Sequence, residues 1–242
     1  MRTISVLGMS DHIVKSFSDD LHQLATDITR MGGLAERQVG EALDVFMRRN
    51  AAGARAVIER DTDIDNMQKE IERQAIRILV LRQPVAQDMR QAVTPFKIVN
   101  AIERIGDLAK NIAKRTLVLA EESALDAELL EAIAEMGKLV RQRICDILDA
   151  YATLDLEAAT RVWMKDEDID EQFDAVFHKL LSVMRDQPEA VEACAHLLFV
   201  AKNLERIGDH ATNIAEIVHF LVTGEEMGTH RPRGGSEWPT VS

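Results

Sequence analysis

The feature that most constrains this chain is an internal duplication. Three short patterns occur twice in the same order. The Met-Gly pair at 31–32 returns at 136–137, and the pattern D-x-D-I-D at 61–65 returns at 166–170, each 105 residues later. The pattern ERIGD at 103–107 returns at 205–209, which is 102 residues later. This order indicates two similar units in tandem, with a loop-sized length change between the last two landmarks.

Each copy contains three long segments with apolar residues at helical spacing, separated by short polar breaks. The predicted helices span about 12–49, 53–82 and 87–121, then about 126–153, 157–185 and 189–222. Pro84 favours a helix end before it, Asp155 is typical of a helix cap, and Pro188 suits a first helical turn. Short loops force antiparallel neighbours, so we predict an all-α fold of two tandem antiparallel three-helix bundles related by internal duplication.

Composition agrees with this fold class. Aromatic residues make up only 4% of the chain, whereas 46% is hydrophobic, which favours helices over strands. The expected units are 10–122 and 123–223, followed by a mobile tail at 224–242 that is rich in Gly and Pro. Cys145 and Cys194 are expected to be reduced, buried thiols.

Charge and hydropathy narrow the possible partners. The formal net charge of −12 argues against nucleic acid, because binding a phosphate backbone needs concentrated Lys and Arg. No apolar run reaches the roughly 18 residues of a membrane span, and the first ten residues lack a signal-peptide core. We therefore expect a cytoplasmic protein, which meets a membrane only through its partners.

The third helix of each copy carries a buried stripe and a glycine. The stripes are Ile98, Ile102, Ile105, Ala109 and Ile112 in the first copy, and Val200, Leu204, Ile207, Ala211 and Ile214 in the second. Burying each large side chain contributes about 1.5–3 kcal/mol. Gly106 and Gly208 each cost about 1 kcal/mol of helix propensity, so their recurrence predicts the close approach of another backbone or a ligand.

Four pairs of acidic residues stand four positions apart on predicted helices. They are Asp61/Asp65 and Glu103/Asp107 in the first copy, and Asp166/Asp170 and Glu205/Asp209 in the second. Residues four apart share a helix face, and like charges at that spacing repel by a few tenths of a kcal/mol. A positive charge, from a neighbouring side chain or from a bound cation, is expected to compensate for this repulsion.

Two interpretations of the acidic pairs stay open. In the first copy Lys69, Lys110 and Arg115 follow the acids at salt-bridge spacing, which is typical of a solvated charged face. The second copy has no Lys or Arg at the four-residue steps, and this asymmetry favours a bound hard cation. If Ile207 marks the apolar face of its helix, Glu205 and Asp209 lie on the opposite face. They are then expected to point outward into a shallow, solvent-exposed site.

At these motifs the sequence resembles the PhoU family, the phosphate-transport-system regulatory proteins of bacteria, from about residue 12 to 222. The resemblance implies two three-helix bundles with multinuclear metal sites, with iron or zinc as the ions. It assigns Asp61, Asp65, Glu103 and Asp107 to one bundle, and Asp166, Asp170, Glu205 and Asp209 to the other. His210 matches the histidine of the family pattern ERIGDHA, whereas the first copy has Leu108 at the equivalent position. We interpret His210 as a surface histidine that modulates local charge.

The resemblance also implies a function. It predicts a non-catalytic negative regulator of phosphate uptake and phosphate-starvation signalling, which binds a phosphate-sensing histidine kinase and the ATPase subunit of the phosphate ABC transporter. A homodimer is expected, and Met47 marks either a dimer seam or the core. The alternatives are a metal-dependent phosphate-ester hydrolase, since clustered carboxylates with metals activate water, and a metal-free helical adaptor.

Overall fold

The computed structural model describes residues 6–82, 87–122, 127–165 and 167–228. In these ranges the chain forms seven α-helices and one short 3-10 turn, so the predicted all-α class is confirmed. The helices are α1 (Val6–Met47), α2 (Ala51–Arg82), α3 (Gln87–Leu119), α4 (Ala127–Thr153), α5 (Leu156–Met164), α6 (Glu167–Asp186) and α7 (Val191–Thr223), and the 3-10 turn is Pro188–Ala190.

The two copies fold alike. Helices α1, α2 and α3 pack on one another in the first bundle, and α4, α5, α6 and α7 form the second, with α5 and α6 together replacing α2. Both predicted stripes on the third helices are buried, as the sequence analysis anticipated. Pro188 opens the 3-10 turn that leads into α7.

The turn after the first helix is duplicated to the level of single hydrogen bonds. Arg49 and Leu154, which hold equivalent positions, both adopt left-handed backbone with φ of 51° and 52°. The side chains that follow them cap the next helix: Asn50 accepts from the Gly53 amide at 3.0 Å, and Asp155 accepts from the Ala158 amide at 2.9 Å. The predicted cap at Asp155 is therefore confirmed.

The prediction of one continuous helix over 157–185 is wrong. Helix α5 ends at Met164, and α6 begins at Glu167. In a regular helix the Val162 carbonyl would accept from the amide four residues later. Among the described residues, its donors are Arg143 Nη1 at 2.9 Å and the Lys165 amide, only three residues on, at 3.3 Å. The first copy has Gln38 in place of Arg143, and its α2 is unbroken.

The bundles pack together through equivalent helices. On α1 and α4 the contact is reciprocal: a Cβ added at Gly32 would overlap Leu148, and one added at Gly137 would lie 2.7 Å from Leu43. Since Gly137 and Leu148 are the second-copy equivalents of Gly32 and Leu43, a pseudo-twofold axis relates the two bundles. The recurring Met-Gly landmark is thus a packing feature, because each glycine admits a leucine of the other copy.

Helices α3 and α7 also pack against each other, and they run antiparallel. Arg115, near the end of α3, lies 3.2 Å from His196 and 4.3 Å above the Phe199 ring, both near the start of α7. Each third helix therefore has helices on several sides, which buries more than one of its faces.

Four smaller predictions concern the thiols, a membrane span, an apolar residue and the tail. Both cysteines are free; Cys194 is buried, whereas Cys145 is only half-buried. Within the described ranges no helix is both long and apolar enough to span a bilayer. Met47 is 38% exposed, so it does not belong to the core. The predicted tail begins where Gly224, with φ of 80°, ends α7, and residues 229–242 lie outside the described ranges.

Candidate cation sites

The duplicated motifs meet through an isoleucine and a glycine. A Cβ added at Gly106 would lie 2.9 Å from Ile64 Cδ1, and one added at Gly208 would lie 2.7 Å from Ile169 Cδ1. Both glycines are closely approached, but the approaching group is the isoleucine side chain of the D-x-D-I-D motif and not the backbone or ligand that was predicted. This contact brings the acids of the two motifs to the same groove between helices.

Among the acids of the first bundle whose burial the structure describes, Asp61 is the most buried. Its side chain is 5% exposed, and both of its oxygens accept from donors on other helices. Gln38 Nε2 on α1 donates to Oδ1 at 2.9 Å and also to the Gly106 carbonyl at 3.2 Å. Lys110 Nζ on α3 donates to Oδ2 at 2.5 Å. The charge of Asp61 is therefore neutralised inside the protein.

Lys110 joins the two motifs of the first bundle. Its Nζ also donates to Asp107 Oδ1 at 2.5 Å. Burial opposes the charge of Lys110, but hydrogen bonds to Asp107 and Asp61 outweigh it and raise the pKa of the lysine. Burial likewise raises the pKa of Asp107, but the hydrogen bond and charge of Lys110 prevail and leave that pKa below its ordinary value. Lys110 is thus a cation held between two carboxylates.

Glu103 completes the first acidic group. Burial raises its pKa, and the negative charge of Asp107 raises it further, against the opposing effect of Arg104. Glu103 and Asp107 share a side-chain hydrogen bond, and the charge of half-buried Asp65 also acts on Glu103. The structure therefore joins Asp61, Asp107 and Glu103 through hydrogen bonds, with Asp65 acting on Glu103 only through its charge.

The second bundle treats its equivalent of Glu103 differently. Glu205 Oε1 accepts from Lys202 Nζ at 2.5 Å, and its side chain is 14% exposed. Its other oxygen, Oε2, is buried without a hydrogen-bond partner. The predicted exposure of Glu205 is wrong. Several helices pack against α7, so faces other than the one that carries Ile207 are also covered. The prediction also missed Lys202, since it considered only steps of four residues toward the C-terminus.

The other acids of the second bundle vary in exposure. Asp209 is half-buried, and Asp170 is exposed; both have side-chain interactions. Asp166 lies outside the described residues, so its predicted place in the site has no structural counterpart. His210 is half-buried, and burial followed by the charges of Arg206 and Arg104 lowers its pKa.

Arg143 is a buried residue of the second bundle that the sequence analysis did not single out. Besides the Val162 carbonyl, its guanidinium meets Asp168 Oδ2 at 3.5 Å. The signal that would have found it is its equivalence to Gln38 under the 105-residue displacement. A buried arginine in place of an amide adds a positive charge beside the D-x-D-I-D motif.

The residues present fit a metal ion unequally. Among the described side chains, no three from His, Cys, Asp and Glu form a group able to hold a metal ion. In the first bundle, Lys110 already occupies the point between Asp61 and Asp107. In the second bundle, the unpartnered Oε2 of Glu205 is a free ligand atom of the kind that hard cations prefer. Glu205 therefore offers an unpartnered oxygen, whereas Asp61 and Asp107 are already joined by Lys110.

The chain is similar to known proteins along most of its length. The model of the PhoU domain matches residues 28–116 and again 133–218. The "Phosphate-specific transport system accessory protein PhoU homolog" of Caulobacter vibrioides is 52% identical over 225 residues, covering 93% of this chain and 97% of the relative. The homolog with the same title from Zymomonas mobilis is 40% identical over 234 residues, covering 97% and 96%.

Solved structures show the same architecture. The crystal structure of PhoU from Pseudomonas aeruginosa has a TM-score of 0.83 at 33% identity, covering 86% of this chain and 100% of that one. The phosphate transport system regulatory protein PhoU from Streptococcus pneumoniae has a TM-score of 0.81 at 29% identity, covering 88% and 99%.

Proposed function

Because this chain belongs to the PhoU family, we propose that it is an accessory protein that negatively regulates a phosphate-specific transport system. One observation carries the proposal. The likeness to a protein titled as an accessory protein of that system extends through both copies and almost the full length of each chain. A regulator that binds partners through both bundles would need both copies, and both are retained.

The proposed action is non-catalytic and takes place in the cytoplasm. The chain binds a phosphate-sensing histidine kinase and the ATPase subunit of the phosphate ABC transporter, acts as a homodimer, and holds both partners in their restrained states when phosphate is plentiful. Sustained phosphatase turnover that needs metal and is abolished by Asp170→Ala would contradict the non-catalytic assignment and favour the hydrolase alternative.

The regulatory role is tested in cells that lack the chain. Expression of a phosphate-starvation gene and uptake of labelled phosphate are measured in phosphate-rich medium, with the intact chain supplied in trans as the control. Loss of repression, restored by the intact chain, is the expected result. Unchanged expression and uptake in the absence of the chain would contradict the role. Binding of the purified chain to the kinase and to the ATPase subunit, each by calorimetry, tests the two partners separately.

We further propose that the acids of the second bundle, Asp166, Asp170, Glu205 and Asp209, hold iron or zinc. The support is the buried, unpartnered Oε2 of Glu205 together with carboxylates on both flanking motifs. A bound ion would neutralise these carboxylates and tie α6 to α7. Glu205 and Asp209 would bind it from α7, with Lys202 retaining one Glu205 oxygen.

Metal content per chain, measured by elemental mass spectrometry after incubation with zinc and dialysis, tests this assignment. Glu205→Gln/Asp209→Asn is expected to lose the zinc that the unmodified chain holds. Glu131→Gln/Glu135→Gln is the matched control, because it removes the same charge from exposed positions on α4. Equal zinc in all three proteins, or none in the unmodified chain, would contradict the assignment.

A further inference from the structure

The two copies carry very different charges. Residues 1–122 contain 18 Lys and Arg and 18 Asp and Glu, whereas residues 123–242 contain 11 and 23. The formal net charge of −12 therefore belongs entirely to the second copy, and the first copy is neutral. The second bundle repels a negatively charged surface, so such a surface meets the chain most favourably from the side of the first bundle.

Helix α2 exposes apolar side chains near its C-terminal end. Ile76, Val80 and Leu81 are 51%, 66% and 63% exposed. The inner face of the same stretch is buried in the first bundle through Ala75 and Ile78. A helix that is apolar on all sides is normally covered on all sides, so the outer face of α2 is expected to have a second apolar contact.

Basic side chains border these apolar residues on the same helix. Lys69, Arg73 and Arg77 are exposed. At about 100° per residue around the axis, all three project from the outer side of α2, within about 100° of the exposed isoleucine. The acids of this stretch are Glu70, which lies 3.0 Å from Arg73, and half-buried Glu72. The outer side of α2 therefore combines apolar residues with an excess of basic ones.

Helix α3 adds a similar surface at the same end of the first bundle. The two helices pack together, and a short connection joins the end of α2 to the start of α3. Met89 and Val93 are each 41% exposed, and Lys97, one turn after Val93, is exposed. We call the exposed apolar and basic residues of 69–81 and 89–97 the α2–α3 end surface.

The second copy lacks this combination on its equivalent of α2. Under the 105-residue displacement, the three basic positions hold an acid, a histidine and a serine: Asp174, His178 and Ser182. Arg185 stands at the position of Val80, so a charge replaces an exposed apolar side chain. Both copies nevertheless fold alike, so the fold does not require the apolar and basic combination.

We propose that the α2–α3 end surface binds directly to an anionic lipid bilayer. The exposed apolar side chains enter the interfacial region, and the lysine and arginine side chains contact lipid phosphates. The negative second bundle then faces away from the membrane. This inference departs from the expectation that the chain meets a membrane only through its partners, and it does not depend on the metal binding proposed above.

A bilayer fits this surface better than an acidic protein does. Exposures of 51–66% show that the apolar side chains of α2 project from the outside of a helix. The residues that anchor protein partners usually lie in well-packed pockets. Apolar residues bordered by Lys and Arg on one helix face are instead typical of helices that lie in a membrane interface.

Co-sedimentation of the full chain with vesicles tests the proposal. The probes are vesicles of phosphatidylcholine alone, and of phosphatidylcholine and phosphatidylglycerol in equal parts, at low salt. The unmodified chain should bind the mixed vesicles, and sodium chloride should weaken this binding. Arg73→Gln/Arg77→Gln should lower the partition coefficient at least about tenfold, because each basic residue near an anionic surface adds to the attraction. Ile76→Ser/Val80→Ser should lower it as well, because it removes apolar area that enters the interface.

Lys179→Gln/Arg185→Gln is the matched control. It removes the same number of positive charges from exposed positions on α6, in the second bundle. Binding to the mixed vesicles should then change by less than about twofold, since these charges lie away from the lipid and are screened by salt. Both charge variants alter exposed side chains, so their helix content, measured by circular dichroism, should match that of the unmodified chain.

Failure of the unmodified chain to bind the mixed vesicles would overturn the proposal. Equal binding to both kinds of vesicle, or an equal loss in the α2 and α6 charge variants, would also overturn it. Should Arg73→Gln/Arg77→Gln not fold, Ile76→Ser/Val80→Ser decides alone, and undiminished binding by that variant overturns the proposal. Binding of the proposed ATPase subunit that is lost in the α2 variants, without any binding to vesicles, would assign the end surface to an acidic protein instead.

Discussion

Arg141 on α4 donates two hydrogen bonds to Oε1 of Glu36 on α1, from Nε at 3.1 Å and from Nη2 at 2.7 Å. The two residues hold the same position in the two copies, 105 residues apart. Equivalent positions that contact each other lie close to the pseudo-twofold axis. A homodimer of single copies would place identical charges there, whereas duplication within one chain allows an acid to face a base.

A double-mutant cycle measures the coupling free energy between Glu36 and Arg141. Glu36→Gln and Arg141→Gln are each expected to lower the free energy of unfolding slightly, with a coupling of about 0.5–1 kcal/mol, because Arg141 is 47% exposed and solvent screens its charge. Arg141→Glu should destabilise more than Arg141→Gln, since it restores the like-charge pair. Urea unfolding at low and high salt gives the values, and a coupling that is zero at low salt would contradict the pairing.

The Cys145 thiol reports on the same pair. Burial raises its pKa, the charge of Glu36 raises it further, and that of Arg141 lowers it. Since the thiolate is the reactive form, Glu36→Gln should speed alkylation by iodoacetamide at pH 8, and Arg141→Gln should slow it.

Mass spectrometry after timed labelling checks the two opposite directions. Cys145→Ser serves as the control for labelling of Cys194, which is 2% exposed and should stay unmodified in the folded protein. Two changes of the same sign would show that altered exposure, and not charge, controls the thiol.

Adjacent glycines of α1 give a matched packing test. Gly32 faces Leu148 of the other copy, whereas Gly33 has open space where its Cβ would be. Gly33→Ala should stabilise by about 1 kcal/mol through helix propensity. Gly32→Ala gains the same propensity but overpacks the α1–α4 contact, so it should be less stable than Gly33→Ala by about 1–3 kcal/mol. Thermal unfolding of both variants measures the difference, and equal stabilities would show that the leucine moves aside freely.

Substituting Arg143 should destabilise the protein more than substituting Asp168, its acidic partner. Arg143→Met removes a buried donor from the Val162 carbonyl and is expected to cost about 1–3 kcal/mol. Asp168→Asn should cost much less, because that carboxylate is 54% exposed and lies 3.5 Å from the guanidinium. Chemical unfolding of the two variants tests the order, and a larger loss for Asp168→Asn would reverse the assignment.

Helix identity and core composition were accessible from the sequence because both depend on local periodicity. The stripe from Ile98 to Ile112 repeats at helical spacing, and every member is buried. The break between α5 and α6 was missed for the opposite reason. At that break Arg143, which comes from a different helix, donates to the Val162 carbonyl, and spacing within one segment contains no information about such a contact.

The acidic residues show the same division. Spacing along one helix correctly grouped Glu103 with Asp107, yet it placed Glu205 outside the bundle. Burial of Glu205 depends on which helices surround α7, and an angle measured from Ile207 alone contains no information about them. The role of Lys110 was visible only in part: its three-residue spacing to Asp107 is local, but its contact with Asp61 crosses from α3 to α2.

By itself the sequence determined that the chain is a helical duplication, where its motifs recur, and that two glycines in those motifs permit close approach. These properties follow from period, order and residue size, all of which are readable along one dimension. Only the tertiary structure decided that Lys110 neutralises Asp61, that Glu205 Oε2 is left unpartnered, and that Glu36 meets Arg141 near the pseudo-twofold axis. Those contacts depend on how helices cross and on their relative register, which are set by the packing of whole helix faces and not by the spacing within any one of them.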